Sequence, residues 1–276
     1  MIPDTVRYEI IDGVKCYAPE LATQNGDFPP NGFERLYRLE AENFWFKARN
    51  RIILHLFKKY LGEQHAARVL ELGCGTGFVL LGLSKLKNLH LSGAEIYISG
   101  LQYARSRLPQ AEFFQIDATR MPFQEEFDAV GAFDVLEHIN EDRLVLQNVF
   151  RSLKPGGLFF VSVPQHPFLW GSTDMLARHK RRYLRSEILE KLRSAGYKIE
   201  YASSFVFALF PFMVIARAWQ KRRTTEQNAL DAAVQELSLP KTVNFLFSLF
   251  MYCDELLIRL GLSLPWGGSM MVVARK

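Results

Sequence analysis

The sequence predicts an α/β fold, a doubly wound and mostly parallel sheet with helices on both faces. Two observations predict it. From residue 68 to residue 203, short apolar runs alternate with stretches of helical periodicity, the pattern of successive βαβ units. In the first of these units, Val69-Leu70-Glu71-Leu72-Gly73-Cys74-Gly75-Thr76-Gly77-Phe78 passes from a buried strand through a glycine-rich bend into a helix.

Taken in order, residues 6–17 alternate apolar and polar side chains around Asp12-Gly13, which predicts a short hairpin. A turn-rich stretch follows (Asn25-Gly26-Asp27, then Pro29-Pro30-Asn31-Gly32). Residues 33–60 show helical spacing and give one or two helices that carry Phe44-Trp45-Phe46 and Arg49. Strands are expected at 68–72, 90–96, 111–116, 127–133, 158–163 and 197–203. Helices are expected at 77–86, 98–108, 142–153 and 186–194. The end departs from alternation: apolar helices at 205–223 and 242–260 enclose a more polar helix near 226–237, and 269–274 returns as a last strand. The organisation is therefore an N-terminal hairpin extension (1–32), a core with a cap helix (33–204), a helical insertion (205–266) and a final core strand (267–276).

At 276 residues and 49% hydrophobic there is ample material for a core, and 23% charged residues is ordinary for a globular chain. The net charge of +5 is mild, with basic runs at His179-Lys180-Arg181-Arg182 and Lys221-Arg222-Arg223. Such an excess fits an anionic substrate, a membrane surface or nucleic acid without choosing among them. Cys16, Cys74 and Cys253 have no CxxC spacing, so neither a zinc site nor a redox couple is expected, and a reduced cytoplasmic setting is. Met1-Ile2-Pro3-Asp4 lacks the start of a secretory signal. The uncharged apolar stretch 201–216 falls short of the roughly 20 residues that span a bilayer.

The glycine bend carries the functional reading. Gly73, Gly75 and Gly77 let the chain turn sharply and let a ligand approach the backbone, and the following helix presents free N–H groups to an anionic ligand end. A dinucleotide site would use a similar bend, but it wants a small residue where Phe78 stands. Glu71 at the strand end would repel a pyrophosphate and suits a ligand bearing an ammonium and a sulfonium, such as S-adenosyl-L-methionine. Glu95 ends the second strand, where a carboxylate accepts ribose hydroxyls, and Ile96 follows it. Asp117 with Ala118 ends the third strand and is expected at the adenine edge.

Here the chain resembles the class I S-adenosylmethionine-dependent methyltransferases. The resemblance covers roughly residues 33–201 and the last strand. It rests on Glu71-Leu72-Gly73-Cys74-Gly75-Thr76-Gly77, Glu95, Asp117-Ala118, Phe127-Asp128-Ala129-Val130 through Glu137-His138, and Leu153-Lys154-Pro155-Gly156-Gly157. It implies a seven-stranded sheet of order 3-2-1-4-5-7-6 with the last strand antiparallel. It also implies a cofactor across the carboxyl ends of the strands, contacting Trp45, Arg49, Glu71, Gly73, Cys74, Gly75, Gly77, Glu95, Ile96, Asp117, Ala118, Phe133, Asp134 and His138. S-adenosyl-L-homocysteine is the implied product. Arg49 is set against the methionyl carboxylate.

O-methylation of a small or lipid-like acceptor is expected, with N-methylation the next reading. An oxygen nucleophile needs a base, and the candidates are His166, His179 and Tyr183. Asp134, Glu137 and His138 resemble a magnesium-binding element of quinone-biosynthesis O-methyltransferases, but Glu-His is common in relatives without metal and no metal is assigned. Nucleic acid is disfavoured, because no Asn/Asp-Pro-Pro-aromatic element follows the fourth strand, where Phe133-Asp134-Val135-Leu136 stands. A non-catalytic scaffold remains a rival. The apolar insertion leaves open a lid, a homodimer contact and a peripheral membrane contact.

Overall fold

A computed structural model describes residues 7–23, 31–62, 66–220 and 239–276 of the chain. It opens with the expected hairpin, strands β1 (Glu9–Ile11) and β2 (Val14–Cys16), turning at Asp12 and Gly13 with φ of 50° and 73°. Positive φ at both central residues is what a tight hairpin turn requires. Helix α1 (Gly32–Leu39) and helix α2 (Phe44–Tyr60) follow. Asn43 caps α2 by accepting the Trp45 N–H at 2.9 Å, while Lys58 and Lys59 sit in its last turn, the charge that a helix C-terminus favours.

The core alternates as expected: β3 (Ala67–Leu72), α3 (Phe78–Leu83), β4 (Leu89–Glu95), α4 (Ile98–Arg107), β5 (Glu112–Gln115), β6 (Phe127–Phe133), α5 (Asp142–Ser152), β7 (Leu153–Pro164), α6 (Ser172–Leu176), α7 (Arg185–Ser194) and β8 (Lys198–Phe205). Then come α8 (Phe210–Gln220), α9 (Lys241–Arg259) and β9 (Ser269–Arg275). The strand expected at 158–163 starts earlier, because Leu153 already pairs with Phe127. The helix expected from 205 starts later, because β8 continues through Phe205, which pairs with Ser269. The polar helix near 226–237, the basic run Lys221-Arg222-Arg223 and the turns at Asn25-Gly26-Asp27 and Pro29-Pro30 lie outside the described residues.

The sheet order is β1-β2-β5-β4-β3-β6-β7-β9-β8. It corrects the expected seven strands to nine. The two extra strands are the hairpin, whose β2 adds parallel to β5 through Lys15↔Phe114 and Cys16↔Gln115. The remaining strands keep the expected sequence, and β9 runs antiparallel between β7 and β8. One face of the sheet buries Ile52, Ile53 and Phe57 of α2 with Met251 and Ile258 of α9. The other buries Val145, Leu146 and Val149 of α5 with Ile188 and Leu192 of α7. Central strand β6 is buried on both sides, hence its near-continuous apolar run.

Candidate active site

The chain turns out of β3 through Gly73, Gly75 and Gly77, at φ of 68°, 51° and 77°. At two of these positions a side chain would be crowded. A Cβ on Gly73 would lie 2.4 Å from Val135 Cγ2, and one on Gly77 would lie 3.0 Å from Ala104 Cα, each at a left-handed φ. Glu95 at the end of β4 holds the bend: its carboxylate accepts the N–H of Gly75 at 3.0 Å and of Ile96 at 2.8 Å. The carboxylate expected to receive ribose hydroxyls thus also ties two loops together.

Beside this bend lies a cavity of about 950 Å³. Trp45, Arg49, Glu71, Gly73, Cys74, Gly75, Glu95, Ile96, Asp117, Ala118, Phe133, Asp134 and His138 all line it. Gly77 does not; its part is the turn and the close approach to α4. Asp117 lines the cavity while its carboxylate accepts the N–H and hydroxyl of Thr119, both at 2.8 Å, and pairs with Arg120.

Arg49 forms an ion pair with Asp134 and stacks over the Trp45 ring at 4.6 Å. Asp134 also accepts the Ser162 hydroxyl at 3.0 Å. The expected partner of Arg49 was a ligand carboxylate; in the structure the guanidinium bonds Asp134 with Nη1, and its buried Nε has no partner. Glu71 is 3% exposed, and its Oε2 is likewise buried without a partner. Burial pushes the Glu71 carboxyl well above its usual range, with the Arg49 charge opposing. One unsatisfied acceptor and one unsatisfied donor at the cavity wall complement the ammonium and carboxylate of an amino-acid ligand end. The residues fit the methionyl moiety of S-adenosylmethionine.

Of the three candidate bases, His179 alone lines the cavity. Its Nδ1 lies 2.9 Å from Asp174 Oδ1, and the side chain of Asp174 is fully buried. Burial opposes the charge on Asp174, but the His179 hydrogen bond and the Arg182 guanidinium outweigh it and hold the carboxyl below its ordinary value. His166 is turned aside and packs its ring 5.2 Å from those of both Phe168 and Phe210. Tyr183 is fully buried, its hydroxyl 2.8 Å from Asp142 Oδ2 and 3.2 Å from the Leu136 carbonyl. Burial and the Asp142 charge push its phenol far up, so Tyr183 is corrected from a base to an anchor of this segment. In the basic run, Arg181 pairs with Asp142 and Arg182 with Asp174, so both point inward.

Comparison with known proteins points to methyltransferases. A family described as a methyltransferase domain matches residues 69–157. A probable S-adenosylmethionine-dependent methyltransferase of Mycolicibacterium smegmatis is 28% identical over 177 residues, 62% of this chain and 66% of that protein. The malonyl-(acyl-carrier protein) O-methyltransferase of Bacillus cereus is 30% identical over 117 residues, 41% of this chain and 44% of that one. The alignments thus span less than two thirds of either relative. In fold, the chain resembles phosphoethanolamine N-methyltransferase 2 of Haemonchus contortus bound to S-adenosyl-L-methionine, with a TM-score of 0.55 at 18% identity, covering 82% of this chain and 52% of that one. Residues 69–157 thus carry a methyltransferase domain, similar to those of S-adenosylmethionine-dependent enzymes.

In and beside the cavity stand groups beyond the expected cofactor contacts, and Glu40 is one that sequence reasoning left out. Glu40, beyond the end of α1, accepts the Thr76 hydroxyl at 2.5 Å and pairs with Arg107 at 2.6 Å, bracing the glycine bend from outside. Nothing in the local pattern distinguishes it from a surface acid. Leu209, Phe212, Met213 and Phe247 of the insertion form an apolar wall, and the hydrophobicity of 205–216 was its signal. Glu137 is fully buried with neither carboxylate oxygen hydrogen-bonded, Oε1 lying 3.9 Å from His179 Nε2; burial and the Asp134 charge push its carboxyl well up. Glu137, His138 and His179 each offer a ligand atom within 4.8 Å of one another, which is a set a divalent ion can use. His138, 4.8 Å ring to ring from His179, is held at about 4, burial being the main cause and His179 the next.

Proposed function

We propose that this methyltransferase moves a methyl group from S-adenosylmethionine to an oxygen of a small, lipid-like acceptor, with His179 as general base. The observation that carries the reading is the Asp174–His179 pair on the wall of a cavity that also contains the glycine bend and the apolar side chains of the insertion.

Bound S-adenosylmethionine supplies an already activated methyl carbon, so the protein's task is alignment and proton removal. An ionised Asp174 holds the proton of His179 on Nδ1 and leaves the Nε2 lone pair to accept a hydroxyl proton. The acceptor oxygen would take the methyl carbon of bound S-adenosylmethionine, the electron pair of the broken methyl–sulfur bond staying with S-adenosylhomocysteine, while Nε2 of His179 would take the acceptor's hydroxyl proton. Arg49 and Glu71 orient the amino-acid end of the cofactor, and Asp117 and Ala118 border the cavity where its base is expected. The apolar wall supports an acceptor with a hydrocarbon portion and disfavours a nucleic acid. The inward pairing of Arg181 and Arg182 weakens a phosphate clamp in the same way.

One second reading has its own observation: the Glu137, His138 and His179 cluster, which would let a divalent ion bind at the acceptor end. Methyl-transfer assays separate the readings. Mass-spectrometric detection of methyl transfer, over hydroxyl- and amine-bearing acceptors with and without alkyl chains, should find O-methylated alkyl products. His179→Gln should lower kcat roughly 100-fold or more with unchanged S-adenosylhomocysteine affinity. Activity abolished by a chelator and restored by a divalent ion would favour the metal reading, and products methylated only on nitrogen would overturn the oxygen assignment.

A further inference from the structure

Helices α8 and α9 each use two faces. The inner face lines the cavity and packs on the core, while the outer face carries large apolar side chains in the open: Phe212, Ile215 and Trp219 on α8, and Phe245, Tyr252 and Leu256 on α9. Their spacing of three, four and seven residues puts each set on one side of its helix. Trp219 is 65% exposed and Phe245 66%. The two helices meet where the rings of Phe212 and Phe250 lie 6.1 Å apart, and exposed apolar faces of this kind mark an interaction site.

The charge pattern indicates what covers it. Both acids of these helices point inward. Asp254 is fully buried and accepts the N–H groups of Phe207 and Ala208, and Glu255 is 3% exposed and pairs with Arg51. The exposed charges of α9 are Lys241 and Arg259, one at each end, both positive. An apolar face with aromatic side chains and a cationic margin matches the interfacial region of an anionic bilayer. A second copy of the chain fits less well. Two-fold antiparallel packing of α9 on itself would bring its positive ends together with no exposed acid of α9 between them. No helix among the described residues is long and apolar enough to cross a membrane, so the contact would lie in the surface plane.

We infer that the outer face of α8 and α9 docks the enzyme on an anionic lipid surface. This rests on the lipid-like acceptor proposed above and deepens it. Phe212 and Ala216 are exposed and also line the cavity, so the docking face and the cavity mouth share residues. An acceptor would then enter from the bilayer edge without crossing water.

The test uses the full chain and sucrose-loaded vesicles that contain no methyl acceptor, either phosphatidylcholine alone or phosphatidylcholine with phosphatidylglycerol. Sedimentation should capture the protein on the anionic vesicles, and capture should weaken with salt. Trp219→Gln combined with Phe245→Gln should reduce capture at least tenfold while S-adenosylhomocysteine affinity stays at the wild-type value. Lys241→Glu with Arg259→Glu should remove the preference for anionic vesicles. Failure of the wild-type chain to sediment with any vesicle would overturn the docking proposal. So would a dimer in sedimentation velocity that dissociates on the apolar substitutions. If vesicle capture fails while a short-chain acceptor in solution is still methylated, docking alone is lost and the acceptor reading stands.

Discussion

Nδ1 of His179 lies 2.9 Å from the carboxylate of Asp174, a side chain closed off from solvent and held also by the Arg182 guanidinium. With Nδ1 engaged by the carboxylate, Nε2 is the nitrogen left for the proposed proton transfer. Asp174→Asn keeps the shape but lets His179 adopt the other tautomer. The expected result is a fall in kcat of about 100-fold or more, with S-adenosylhomocysteine affinity preserved. Steady-state kinetics and calorimetry on the same sample check it, and an unchanged kcat would remove His179 from the mechanism.

Glu71 and Arg49 each bury one polar atom without a partner at the cavity wall. A charged ligand end that satisfies them gains charge-assisted hydrogen bonds of about 1.5–3 kcal/mol each. Glu71→Gln should therefore weaken S-adenosylhomocysteine about 10- to 100-fold in calorimetry. The fold should be retained, because the substitution removes a charge that burial already disfavours.

Gly73 and Gly156 both adopt left-handed φ, at 68° and 76°, but only Gly73 has a neighbour in the way. Gly73→Ala must displace Val135, while Gly156→Ala meets nothing within 4 Å and bears conformational strain alone. Overpacking costs about 1–3 kcal/mol, and Gly73→Ala should be the more destabilising of the two in urea denaturation. Equal losses would mean that Val135 moves freely.

The His138 ring titrates at about 4 in the fold, against an ordinary value of 6.5. As pH falls, the unfolded chain binds this proton first. The stability contributed by the neutral ring is thus complete above about 6.5 and is lost between there and about 4. Glu71, Glu95 and Glu137 are raised and act with the opposite sign, so the measurement is a difference. His138→Gln should flatten the acid side of the stability curve in chemical denaturation across that window, relative to wild type.

Asp254 binds α9 to the corner after β8, accepting two backbone N–H groups at 2.6 and 3.0 Å. Asp254→Ala leaves both amides without that partner and should cost about 1–3 kcal/mol. Thermal melts would show the loss. A melt equal to wild type would mean that water replaces the carboxylate at no cost.

The βαβ core was legible because each strand is a compact apolar run and each helix has its own period, both local properties. The glycine bend and the strand-end acids were legible for the same reason, since thirteen of the expected cofactor residues line one cavity. The ninefold sheet was not. Lys15 and Cys16 meet Phe114 and Gln115 across about a hundred residues, and nothing in a three-residue strand announces its partner. The base was ambiguous for a similar reason. His166, His179 and Tyr183 are all loop groups in sequence, and only the fold turns His166 against Phe210, sinks Tyr183 onto Asp142 and presents His179 to the cavity. Glu40 reads as a surface acid until Thr76 and Arg107 close around it.

Phe205 and Ser269 sit opposite one another in the sheet, so everything strung between them leaves and re-enters at a single rung of the ladder. A segment attached that way is a cassette. Changes within it need not alter strand register, provided that Met251 and Ile258 still cover the sheet face they share with α2, and the cavity walls at the ends of β3, β4 and β5 keep their shape. Transplanting such cassettes offers a direct route to redirecting what this scaffold alkylates.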